Sequence, residues 1–115
     1  MVVWIIDAEQ WPRAMLRAEL IERGFDAVGY ITVRDAIDSL PERHPDAIVV
    51  ELRGQPIPLV ERLLSLNVPM FIIGSVPEIH DLPDRPWTVL HRPVSIGAIA
   101  DHVEALRDGA SRENP

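Results

Sequence analysis

Four short stretches of this chain, residues 2–6, 47–50, 70–73 and 87–90, are apolar at consecutive positions, the last with a single Thr. A strand with one wet face alternates apolar and polar side chains. Unbroken apolar runs instead demand cover on both faces, as in a parallel sheet layered between helices. Residues 25–31 form a weaker, alternating run that suits an outer strand.

Helical signals fill the intervals. Pro12 stands at a first-turn position, Leu16, Leu20 and Ile21 make an apolar stripe, Glu19 and Arg23 form an i,i+4 pair, and Gly24 supplies the stop. Thr32 and Asp35 have the spacing of a capping box ahead of Ala36, Ile37 and Leu40, with Pro41 as the boundary. Pro58 opens a third helix that turns Leu59, Val60, Leu63 and Leu64 inward and closes at Asn67. Between Ser75 and Pro86, the prolines at 77, 83 and 86 leave room for about one helical turn, so this segment reads as mostly loop. Ser95 caps a last helix carrying Ile96, Ile99, Val103 and Leu106 on one face. Gly109 ends it, leaving residues 110–115 as a flexible tail after a single domain, 1–109.

Strands alternating with helices, joined by right-handed crossovers, predict a doubly wound, flavodoxin-like α/β fold with five parallel strands in the order 2-1-3-4-5 and a degraded fourth helix. In that order the first and third strands are neighbours whose connections leave toward opposite faces, and their carboxyl ends open a ligand-binding crevice.

Composition narrows the function classes. The chain has 115 residues and no Cys, so disulfide frameworks, thiolate metal sites and cysteine nucleophiles are excluded. Its cations are all Arg, which removes lysine Schiff-base chemistry. The net charge of −7, spread over both halves, has the wrong sign for nucleic acid. No apolar run approaches the ~20 residues of a membrane span, so a cytoplasmic protein without membrane contact is expected. The histidines at 44, 80, 91 and 102 lack zinc-ligand spacing, and neither a Ser-His-Asp arrangement nor a Gly-rich phosphate loop is present. The chain reads as a non-enzyme.

The strand ends deliver Asp7, Ala8 and Glu9, then Glu51, then Gly74 and Ser75, then His91, Arg92 and Pro93 to the crevice. Asp7, Glu9 and Glu51 form an acidic pocket that could hold Mg²⁺ through oxygen ligands, while Arg92 could neutralise the same carboxylates with its planar fork. Trp4 reads as core. Trp87, beside Pro86, is a packing residue or an interface candidate.

At these residues the chain resembles the receiver domain of bacterial two-component response regulators. The likeness is carried by Ile-Ile-Asp-Ala-Glu at 5–9, Gly-Phe-Asp-Ala-Val at 24–28, Asp-Ala-Ile-Val-Val-Glu at 46–51, Val-Pro-Met-Phe-Ile-Ile at 68–73 and Arg-Pro-Val-Ser at 92–95. It implies phosphorelay signalling, in which a histidine kinase passes a phosphoryl group to an Asp beside a bound Mg²⁺. The carry-over is incomplete. Glu51 occupies the phosphoacceptor position, Asp7 matches one acid of the metal pair while Ala8 replaces the other, Gly74 replaces the hydroxyl residue, Arg92 replaces Lys, and Val89 replaces the switch aromatic.

The resemblance therefore implies an atypical pseudo-receiver that acts through contacts with a signalling protein, a histidine kinase or an output protein, or as a homodimer. Ordinary Asp phosphorylation is not expected, and Mg²⁺ at Asp7 and Glu51 is expected to be weak or absent. A competent receiver using Asp7 or Glu51, and a small-molecule module at the crevice, are the rival readings. The likeness also implies a cis Arg92–Pro93 bond.

Overall fold

The computed structural model describes the backbone of residues 1–113 and the side chains of residues 1–109. Its elements follow in the order β1 (Val2–Ile6), α1 (Gln10–Glu22), β2 (Asp26–Tyr30), α2 (Val33–Asp38), β3 (Ala47–Glu51), α3 (Ile57–Arg62), β4 (Met70–Gly74), α4 (Val76–His80), β5 (Thr88–His91) and α5 (Ile96–Glu113). All pairings are parallel and the sheet order is β2-β1-β3-β4-β5, as expected from the apolar runs.

Alternation along each strand divides the core into two layers. Val3 and Ile5 of β1 join Val49, Phe71 and Leu90 beneath α1 and α5. Trp4 and Ile6 join Ile48, Val50 and Ile72 on the face covered by α2 and α3. Trp4 is fully enclosed, edge-on to Tyr30 at 5.4 Å between ring centroids, and its indole Nε1 has no hydrogen-bond partner among the described residues.

Local signals account for the ends of the helices. At the end of α1, Gly24 adopts φ +92°, its N–H reaches the Ile21 carbonyl and the Phe25 N–H reaches that of Leu20, a Schellman closure that a left-handed glycine permits. Thr32 caps α2 by accepting the Asp35 N–H at 3.1 Å. After α3 a 3₁₀ turn over Leu63–Leu66 ends on Asn67 at φ 55°. Ser95 accepts the Ala98 N–H at the start of α5.

Four expectations need correction. Ile21 lies on the solvent side of α1, because Leu16 and Leu20 alone complete the contact with the sheet. The fifth strand begins at Thr88, one residue after Trp87. The residues expected just beyond β3, β4 and β5, namely Glu51, Gly74 and His91, are the last residues of those strands. Finally, α5 continues through Gly109 to Glu113. A helical glycine costs only about 1 kcal/mol, and Ala110 to Glu113 offers no competing stop. Of the expected tail, residues 114–115 lie outside the described residues. The segment after β4 is the short turn foreseen, α4, followed by irregular chain to β5. No helix among the described residues is long and apolar enough to cross a membrane.

Candidate functional site at the carboxyl end of the sheet

Parallel strands align their carboxyl ends, so the residues that leave β1, β3, β4 and β5 converge there. Glu51 is 6 % exposed. Its Oε1 accepts the Arg92 Nη1–H at 2.6 Å and the Arg53 backbone N–H at 3.0 Å. The second edge of Arg92 donates to Glu78 of α4. Glu78 Oε1 in turn accepts the Ser75 N–H and the Ser75 hydroxyl, both at 2.8 Å, and Ser75 caps α4 in a complete capping box. One guanidinium thus bridges the end of β3 to the start of α4. The Arg92–Pro93 bond is cis, as the resemblance implied, and so is Leu40–Pro41.

Asp7 behaves differently. It is 8 % exposed, and its Oδ1 accepts the Glu9 N–H at 2.8 Å. No cation forms an ion pair with it among the described residues. Arg13 passes close by but gives its Nη1–H to the Asp7 backbone carbonyl at 2.8 Å. Burial pushes the Asp7 carboxyl above its ordinary range, against the opposing pull of Arg53, Arg13 and Arg92. Burial also raises Glu51, outweighing the Arg53 N–H and Arg92, and the Asp7 charge adds to the rise. Glu78 moves the other way, held low chiefly by the Ser75 N–H.

Asp7, Glu51 and Arg92 therefore meet as the sequence predicts, with Arg92 taking Glu51 and not Asp7. Glu9 lines the same cleft as Asp7 and Glu51 but stands exposed at its mouth, where it pairs with Arg53. Gly74 is buried, and an added Cβ would stand 3.0 Å from Leu52 Cδ1 and 3.2 Å from Ile79 Cγ1. The missing hydroxyl residue at 74 is thus accompanied by the close approach of α4. The neighbouring Ser75 hydroxyl is committed to Glu78. Trp87 is half-buried, packed against the Trp4 layer. The exposed tryptophan is Trp11, at 77 %.

Five residues at or near the site are not singled out by the sequence pattern. Glu78 was legible in the Ser-x-x-Glu spacing from Ser75, which the neighbouring prolines masked. Arg53 lies two residues beyond Glu51 with nothing in the pattern to mark it. Gln55 is buried and bridges loops by accepting the Val33 N–H and donating to the Ile31 carbonyl. Trp11 and Met15 share a helix face at i,i+4 spacing, a signal that was available.

The donor set does not fit Mg²⁺. Two carboxylates converge, one is already held by a guanidinium, Ala8 offers no ligand, and no group of three or more Asp, Glu or His able to hold a metal occurs among the described residues.

No protein-family model matches the chain and no curated protein matches it by sequence. Solved structures do. A response regulator receiver protein from Sinorhizobium medicae superposes with a TM-score of 0.77 at 18 % identity, covering 92 % of this chain and 93 % of that one. A two-component response regulator from Clostridium difficile gives 0.75 at 17 %, covering 100 % and 99 %. A Francisella response regulator receiver domain gives 0.74 at 18 %, covering 95 % and 98 %. The fold is that of the receiver domains.

Proposed function

We propose that this chain is a receiver-type module of two-component signalling that works through protein contacts, without ordinary aspartyl phosphorylation. The observation that carries the reading is the run of charge-assisted bonds from Glu51 through Arg92 and Glu78 to Ser75. A carboxylate one methylene longer than Asp fills the phosphoacceptor position and already holds the strand-end cation. That cation in turn holds the cap of α4. The groups that a phosphoryl anion would recruit are thus satisfied by side chains of the protein, and a permanent ion pair stands in for a transient one. Val89, half-buried in β5, has no ring to swing, so the face built by α4, β5 and α5 lacks a two-state element for a pocket event to bias.

The module is a non-enzymatic binding surface. Its partner is a signalling protein, a histidine kinase or an output protein, or a second copy of the chain. The test is intact-mass measurement after incubation with acetyl phosphate and Mg²⁺. No added phosphoryl group is expected, and Mg²⁺ titration should show no micromolar binding. A stoichiometric gain of one phosphoryl group would overturn the reading in favour of a competent receiver using Asp7 or Glu51.

A further inference from the structure

A cleft of about 320 Å³ runs from the carboxyl end of the sheet along α1 to the start of α5. Its outer wall is apolar, formed by Trp11, Pro12, Met15, Val94 and Ile96. Trp11 and Met15 are 77 % and 54 % exposed, although polar residues would stand there at no cost to the core. At its inner end the cleft meets Asp7 and Glu51.

The guanidiniums around this inner end bond elsewhere: Arg92 to Glu51 and Glu78, Arg53 to Glu9 at the mouth, and Arg13 to the Asp7 carbonyl. The carboxylate left over is Asp7, more than nine-tenths buried. Neither Asp7 Oδ2 nor Glu51 Oε2 receives a hydrogen bond among the described residues, and neither is sealed from the cleft. A mostly buried carboxylate that no guanidinium pairs directly is costly, and a positive charge bonded to it would relieve that cost.

The geometry points to this cleft as a binding site for a small organic monocation, a protonated primary amine on an apolar body, with the ammonium at Asp7 and the body against Trp11 and Met15. An ammonium needs one or two carboxylate oxygens and tolerates an apolar stem beside it. A Mg²⁺ ion would keep most of its waters, gain nothing from the apolar wall and find no ligand at Ala8. An anion would have to displace Glu51 or Glu78 from Arg92, or Glu9 from Arg53. Cleft size and lining match ordinary small-molecule sites, apolar walls with a few convergent polar groups.

Titration calorimetry with 3-phenylpropylamine, benzylamine and hexylamine tests this, alongside 3-phenylpropan-1-ol, 3-phenylpropanoate and MgCl₂. The indole N–H signal of Trp11 provides an independent site readout by NMR. At least one amine should bind with a millimolar or tighter Kd, at least about tenfold more tightly than the alcohol, a gap of about 1.4 kcal/mol. Asp7→Asn should reduce amine affinity to that of the alcohol. Trp11→Ala and Met15→Ser, at exposed positions that leave the fold intact, should weaken both. The proposal is overturned if no amine binds, if alcohol and amine bind equally, if the propanoate or Mg²⁺ binds more tightly than any amine, or if either Trp11→Ala or Asp7→Asn leaves amine affinity unchanged.

Discussion

Two arginines gather carboxylates at opposite ends of the sheet. At the amino end, Arg23 holds Glu19, Asp101 and Glu104 at 2.9, 2.7 and 2.9 Å, stitching α1 to α5, while Arg107 donates to its carbonyl and lies over the Phe25 ring. At the carboxyl end, Arg92 holds Glu51 and Glu78. The guanidinium side chains are almost equally accessible, 21 % and 23 %, yet the side chains of their acids are not: Asp101 is 73 % exposed and Glu51 only 8 %. What an arginine contributes is decided by whether its partner would have water without it. Asp101 would be rehydrated, whereas Glu51 would be left as a buried charge.

The largest effect should follow Arg92→Met. Glu51 then loses its cation, and urea denaturation at pH 7 should show a loss of about 3 kcal/mol, shrinking at acid pH where Glu51 takes up a proton. A loss no larger than that of an exposed substitution would erase the contrast between the two ends.

Asp7→Asn should act in the opposite direction. Asn keeps the acceptor for the Glu9 N–H and removes a buried charge, so stability at pH 7 should rise by about 1 kcal/mol. Because the folded-state pKa of Asp7 lies above its ordinary 3.8, the folded protein holds a proton that the unfolded chain has released in the interval above that value. Wild-type stability therefore falls as pH rises through this interval, and the advantage of the variant should vanish as pH drops below 3.8. An advantage independent of pH would mean that charge is not its cause.

Glu78→Gln should cost about 1 kcal/mol through the weakened cap of α4. The folded pKa of Glu78 is depressed, so its contribution is present above the ordinary 4.5 and lost as pH falls through the folded value. The difference between Glu78→Gln and wild type should therefore narrow in acid, and a gap that widens there would contradict the assignment. The smallest effect belongs to Arg23→Gln, a slight fall in Tm that about 0.5 M NaCl largely removes. A large, salt-insensitive fall would place the α1–α5 stitch on a par with the Arg92 bridge.

The sheet was legible because burial on both faces forces consecutive apolar residues, and residues 2–6, 47–50 and 70–73 obey that rule with little local noise. The meeting of Asp7, Glu51 and Arg92 followed from topology alone, since strand ends in this order must converge. The choice Arg92 makes between the carboxylates did not follow, because it depends on α4 bringing Glu78 to the far edge of the guanidinium. The prolines there leave room for about one helical turn, and Pro77 sits in its first turn, where a proline is tolerated, but the spacing does not say which way Glu78 faces. Trp11 was missed for a related reason. The apolar stripe was drawn through the residues that reach the sheet, and a second apolar face toward solvent has no role in the core, so it announces itself only once the cleft beside it is visible.

The tight space at Gly74 limits which residues this strand end can carry. A single codon change can supply a hydroxyl at position 74, but the new Cβ would press on Leu52 and Ile79 before that hydroxyl met any phosphate, and Glu51 would still be paired with Arg92. Position 74 is thus tied to glycine by what packs over it, whatever chemistry the strand end performs.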